Sequence, residues 1–163
     1  MSRYGIQTFA TLSAAKDAGA ILGFSGDHRY LSNFWFAEVR FDGLRYASVE
    51  HAYQAAKTLV LIEREQFRDR ITPGVAKRLG RGITMRPDWD AVKLGVMEDL
   101  VSQKFVRPDL AGLLRKTGQT PILELNVWGD RYWGVVADRD GRLAGSNHLG
   151  RILMDVRQRL LEV

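Results

Sequence analysis

Cysteine is absent from all 163 residues. Disulfide bonds, thiolate nucleophiles and cysteine-ligated zinc or iron–sulfur centres are thereby excluded. Histidine occurs only as His28, His51 and His148, with no His-x-x-x-His spacing, so no metal site is expected. No window approaches the roughly 18 charge-free residues of a membrane span, and the start Met1-Ser2-Arg3-Tyr4 lacks the apolar stretch of a signal peptide. The expectation is a cytoplasmic protein with no membrane partner. A P-loop and a dinucleotide-binding glycine fingerprint are also missing, which argues against phosphoryl and hydride transfer and implies no cofactor.

What is present suits one ordinary core: 45% of the residues are hydrophobic and 26% charged, without repeats or low-complexity linkers. Lysine and arginine total 24 against 19 acidic residues, a formal charge of +5. Arginine dominates the basic set, and its planar fork matches phosphate and carboxylate. An anionic ligand fits this balance, and so does a merely soluble basic surface. Arg64, Arg68, Arg70, Lys77, Arg78, Arg81 and Arg86 concentrate charge in the middle of the chain, where nucleic-acid attraction and plain solvent exposure both remain open.

Local patterns predict a short helix over 12–20 and a strand over 21–24. Residues 30–36 read as an aromatic loop in which Phe34 belongs to the core. Residues 37–46 form a hairpin around Asp42-Gly43, a pair suited to a two-residue turn. Ser48 caps a helix over 49–57, a second helix spans 61–70, and Thr72-Pro73 opens a third that Gly80 and Gly82 stop. The longest helix covers 88–105, with Trp89, Val92, Val96, Leu100 and Phe105 as its apolar stripe. A short helix over 108–114 leads to a strand-like stretch at 122–125. Residues 128–145 suit a shaped loop or short hairpin, and Asn147 is expected to cap a terminal helix over 148–161.

Three constellations carry candidate chemistry. Glu50, Tyr53, Gln54 and Lys57 recur at spacings of three, four and seven, which puts them on one side of a helix. They suit either a solvated Glu-to-Lys face or a set of groups turned toward one ligand. A buried Glu50 could move protons, and a lysine with a depressed pKa at 57 could act as an amine nucleophile. Asn126, Trp128, Asp130, Trp133 and Gly134 mix stacking surfaces with directional hydrogen-bonding groups, as a nucleotide would need and as a turn-rich core corner would also display. Gly145 to Gly150 surrounds Asn147 at a helix entrance, where backbone amides suit phosphate unless a cap satisfies them. Asn33 is the best directional group in the aromatic loop.

Leu31-Ser32-Asn33-Phe34, Ser48-Val49-Glu50-His51-Ala52-Tyr53-Gln54-Ala55-Ala56-Lys57, Trp128-Gly129-Asp130, Tyr132-Trp133-Gly134 and Gly145-Ser146-Asn147-His148-Leu149-Gly150 occur in an order that closely resembles the NADAR family of YbiA-like N-glycosidases, across roughly residues 21–161. The resemblance implies a compact, mostly helical α+β single domain with short strands over 21–163, preceded by an extension at 1–20. It implies hydrolysis of an N-glycosidic bond in a ribosylated base, either a phosphoribosylamino pyrimidine or ADP-ribosylated guanine in nucleic acid, with no metal. Glu50 and Lys57 match the family's acidic and basic helix positions. Ala47-Ser48 stands where the family often has Pro-Thr, and Val135-Val136-Ala137 replaces a more glycine-rich run.

On this basis Glu50 is expected to assist proton transfer, while Lys57 captures the sugar C1 or supports it electrostatically. Trp128 or Trp133 stacks on the base, Asn33 and Asp130 orient hydroxyls, Tyr53 meets the leaving group, and the Asn147 entrance receives phosphate. A noncatalytic ADP-ribose or nucleic-acid reader is the competing class. No protein partner is indicated.

Overall fold

The computed structural model describes residues 8–68 and 71–162. Along the chain run α1 (Leu12–Asp17), β1 (Ile21–Leu22), a 3₁₀ turn (Gly26–Leu31), β2 (Val39–Phe41), β3 (Leu44–Tyr46), α2 (Val49–Ala56) and α3 (Leu61–Glu65). They are followed by α4 (Pro73–Leu79), α5 (Trp89–Lys104), α6 (Pro108–Lys116), β4 (Ile122–Leu123), β5 (Val136–Ala137), β6 (Leu143–Ala144) and α7 (His148–Leu161). The elements group into two compact units, one of residues 29–114 and one joining the segment before residue 29 to that after residue 114. Among the described residues no helix is long and apolar enough to cross a membrane.

In the 29–114 unit the β2–β3 hairpin turns at Asp42-Gly43, and both residues have positive φ, 46° and 78°. Two left-handed residues give the twist that matches paired strands, which is why an Asp-Gly pair is selected there. Val39 and Tyr46 pair in register and are each 1% exposed, so the inward side of the hairpin is core. Ser48 then starts α2 by accepting from His51 N. All eight residues of α2 are buried, including Glu50, His51 and Gln54, and the helix packs against α3, α4, α5 and the hairpin. That burial removes the solvated-face reading of its polar residues.

Thr72 caps α4, with Pro73 in its first turn. Helix α3 is shorter than its sequence pattern suggests. After Glu65 the amides of Gln66, Phe67 and Arg68 bond three residues back, a 3₁₀-like tightening that seats Phe67 in the core. Asp69 and Arg70, at the end of the expected helix, lie outside the described residues. Helix α5 also departs from expectation. Its buried residues are Trp89, Met97, Leu100, Val101 and Lys104, whereas Val92 and Val96 are only half-buried.

The second unit pairs β1 with β4 in parallel, Ile21 opposite Ile122 and Leu22 opposite Leu123. Ala15, Leu123 and Val135 form its core cluster, against which Phe9, Ala20, Leu22, Leu125 and Leu143 pack. Helix α1 is tied to the β5–β6 hairpin through Leu12 N to Gly141 O. Helix α7 lies on β4 and buries Leu149, Ile152, Leu153 and Val156. Each such side chain contributes about 1.5–3 kcal/mol on leaving water. Arg157, also buried, donates to Thr117 Oγ1 and Thr120 O and so holds the turn that Gly118 opens at φ 57°.

Candidate active site

The strongest candidate lies on α2. Ser48 Oγ is 2.7 Å from His51 Nδ1, and His51 Nε2 is 2.9 Å from the Ile71 carbonyl, which can only accept. Nε2 therefore carries a proton, and in the neutral ring Nδ1 receives the Ser48 hydroxyl. This pair pins the start of the helix. In the same first turn the backbone amide of Glu50 donates to Asn33 O at 3.1 Å, bringing the 31–34 loop beside the acid. Asn33 donates through Nδ2 to Met97 Sδ, and its buried Oδ1 has no hydrogen-bond partner among the described residues.

Glu50 is 7% exposed, and its Oε1 accepts from Gln54 Nε2 at 2.8 Å. Tyr53, also 7% exposed, leans its ring on Trp89 at 5.1 Å between centroids. Lys57, the residue that ends α2, places Nζ 5.4 Å from the Tyr53 ring centroid. Burial lowers its pKa below the ordinary lysine value. The Glu50 carboxylate opposes that shift, while the positive charges of Lys77, Arg81 and Lys93 reinforce it. Carboxylate, aromatic ring and a half-buried lysine with a lowered pKa thus share one helical side.

The aromatic loop differs from expectation. Phe34 is 41% exposed rather than core, with Lys77 Nζ 6.0 Å from its ring centroid, and Trp35 and Phe36 are exposed beside it. Ser32 is committed to the loop itself, since Oγ accepts from Phe34 N and its carbonyl accepts from Trp35 N. The same carbonyl accepts at 2.7 Å from Lys104 Nζ, a fully buried lysine that sequence patterns did not single out. Tyr30 is buried and donates its hydroxyl to Leu113 O. The basic middle region is also less free than its composition suggests. Arg64 is 3% exposed and bonded to Thr58 O and Asp42, and Arg86 is paired with Asp88.

In the second unit the candidate residues build a loop. Asn126 Oδ1 accepts from Asp130 N, and its Nδ2 donates to Asp130 O and Val135 O. Asp130 Oδ1 accepts from Tyr132 N and Trp133 N. Both side chains therefore fold the loop that carries Trp128, 63% exposed, and Trp133, half-buried with its edge on Tyr132. A Cβ at Gly134 would overlap Glu124 O and come within 2.7 Å of Asn126 Nδ2, so the glycine is there for close approach.

The α7 entrance requires a correction. Asn147 does not cap the helix with its side chain. It sits at φ 50°, accepts from Glu124 N and donates to Ile122 O, both at 2.9 Å. The amides of Ser146, Asn147, His148 and Leu149 donate to the carbonyls of Arg131, Gly134, Tyr132 and Trp133 respectively. Those four donors, expected to meet phosphate, are spent on the tryptophan loop.

A model of the NADAR domain matches residues 23–161. The chain belongs to the NADAR family. N-glycosidase YbiA of Escherichia coli (strain K12) is 34% identical over 139 residues, covering 83% of this chain and 84% of that protein. The NMR structure of E. coli YbiA superposes with a TM-score of 0.73 at 33% identity, covering 88% of this chain and 85% of that one. N-glycosidase Npun_R5314 of Nostoc punctiforme is 36% identical over 137 residues, 79% of this chain and 83% of that protein. Riboflavin biosynthesis protein VVA0006 of Vibrio vulnificus is 35% identical over 139 residues, covering 83% of this chain but 36% of that longer protein. The fold is thus the mostly helical, mixed α/β fold of YbiA, as the motifs implied. At the family level the NADAR chain is associated with nucleotide and riboside metabolism, and its homology to an N-glycosidase points to enzymatic activity of that general family.

Proposed function

We propose that this NADAR protein hydrolyses the N-glycosidic bond of a phosphorylated, ribosylated base, with Glu50 and Lys57 as its catalytic residues. The observation that carries the reading is the side of α2 and its C-terminal cap on which buried Glu50 and Tyr53 and half-buried Lys57 gather, with burial lowering the pKa of the lysine. A buried carboxyl group and a half-buried amine whose pKa burial lowers, on one helical side, suit proton transfer and attack at a sugar carbon.

In the covalent version the Lys57 amine supplies the electron pair that forms a bond to C1. The base leaves with the pair of the broken C1–N bond and takes a proton from Glu50. The attached Lys57 nitrogen then loses a proton to Glu50, and its electron pair forms the C1=N bond as the C1–O4′ bond breaks. The ring oxygen takes that proton from Glu50, leaving an iminium on Lys57. Water adds to that carbon with Glu50 accepting a proton, and the released sugar restores the free amine. In the noncovalent version water attacks C1 directly and Lys57 supports the developing charge and the phosphate. Asn33 Oδ1, a buried acceptor, suits a ribose hydroxyl, and Tyr53 suits the leaving base. Trp128 offers an exposed indole for stacking on a base. Within their own unit, Asn126, Asp130, Gly134 and Asn147 hold the loop of Trp128 and Trp133 in shape.

Two substrates fit this chemistry, a phosphoribosylamino pyrimidine and ADP-ribosylated guanine in nucleic acid. Incubation with each, following free base and sugar, tests the proposal. Product from the wild type and at least a hundredfold loss in Glu50→Gln are expected. Equal binding by both proteins with no product from either would make the protein a reader instead. Borohydride trapping with intact-mass analysis should add a sugar adduct at Lys57, and its absence from an actively turning-over enzyme would leave the noncovalent version.

A further inference from the structure

We infer that Gln54 is a positioning residue for Glu50, and that Gly80 supplies the space Gln54 needs to hold it; the inference rests on the catalytic reading of Glu50 given above. Gln54 is 4% exposed and lies one turn beyond Glu50, to whose Oε1 its Nε2 donates. Burial removes the water that would otherwise compete for this bond. It also makes the side chain's orientation consequential, because reversing the amide would press its oxygen against a carboxylate oxygen.

On its other side the amide faces Gly80, the residue after α4, and its buried Oε1 has no hydrogen-bond partner among the described residues. A Cβ at Gly80 would overlap Gln54 Oε1 and approach Cδ to 2.7 Å. Gly80 sits at φ −60°, ψ −10°, a right-handed conformation open to any residue, so its backbone gives no reason for glycine. Its amide continues the helix by donating to Ala76 O, which fixes the main chain in place. Space is the remaining requirement. The Gln54 amide occupies the gap that a missing Cβ leaves, and from there its N–H sets one oxygen of the acid.

A bond of this kind to a charged group is worth roughly a tenfold to a hundredfold factor. The test measures kcat and KM for the wild type, Q54M, G80A, Q54A, Q54A/G80A and E50Q on the two substrates named above. Thermal melting and titration with ADP-ribose are read alongside. Q54M keeps the volume and removes the donor. It should lose about tenfold to a hundredfold in kcat with KM within twofold and ADP-ribose affinity unchanged. G80A should lose a similar amount. In the Q54A background, where alanine leaves room for the new Cβ, adding G80A should cost no more than about twofold, since both changes act through one contact.

Wild-type kcat in Q54M would overturn the inference even if E50Q were inactive. So would a G80A penalty that persists in full in Q54A, which would mark a purely structural role. Failure of the wild type to form product from either substrate would sink the catalytic reading, and this inference with it.

Discussion

Lys104 offers a sharp test of the packing that holds the candidate site. It is 1% exposed, donates to Ser32 O at 2.7 Å, and burial, assisted by the positive charge of Arg107, pushes its pKa from 10.5 down to about 7. In the unfolded chain the same lysine titrates near its ordinary value, so between about pH 7 and 10.5 the unfolded state binds more protons. A depressed lysine therefore destabilises the folded state fully below pH 7, and the penalty fades as pH rises to 10.5. At about 1.4 kcal/mol for each tenfold change in protonation, the penalty is roughly 4–5 kcal/mol at pH 6.

Replacing Lys104 with methionine removes that penalty and forfeits about 1–2 kcal/mol for the bond to Ser32 O. K104M should accordingly be more stable than the wild type by about 2–4 kcal/mol at pH 6. At pH 10, where less than about 1 kcal/mol of the penalty remains, it should be less stable by up to about 1 kcal/mol. Urea unfolding of both proteins at pH 6, 8 and 10 measures the difference, in which other titrating groups cancel. A difference independent of pH, or a methionine variant weaker than the wild type at pH 6, would refute the reasoning. Because Ser32 precedes Asn33, the stabilised variant should also bind substrate less tightly.

Other changes separate the loop's architecture from its contacts. Trp128→Ala removes a largely exposed indole and should weaken binding of a free nucleoside to the tryptophan loop several-fold, read by titration; unchanged binding would remove base stacking from that loop. Asp130→Ala should lose about 1–3 kcal/mol by stranding the amides of Tyr132 and Trp133. Asp130→Asn keeps an acceptor there and should lose less than half as much by the same measurement. Gly134→Ala forces a Cβ onto the Glu124 carbonyl and should cost about 1–3 kcal/mol, read as a lowered melting temperature.

Several features were legible in the chain because they depend on neighbours a few residues apart. Asp42-Gly43 fits its two left-handed positions, Ser48 and Thr72 supply cap oxygens, and Glu50, Tyr53 and Lys57 share a side through the helical repeat. Family motifs extended that legibility to the whole fold. Burial around the full circumference of α2 was decided by the approach of distant segments, and the polar side of that helix alone suited solvent equally well. The same holds for Gln54 against Gly80, for Lys104 beneath Ser32 and for the α7 amides turned toward the tryptophan loop. Sequence by itself determined which groups stand together on one helical turn, since covalent spacing sets that. Which of them meet water, and which meet another backbone, was decided only when tertiary packing brought remote carbonyls and side chains within bonding distance.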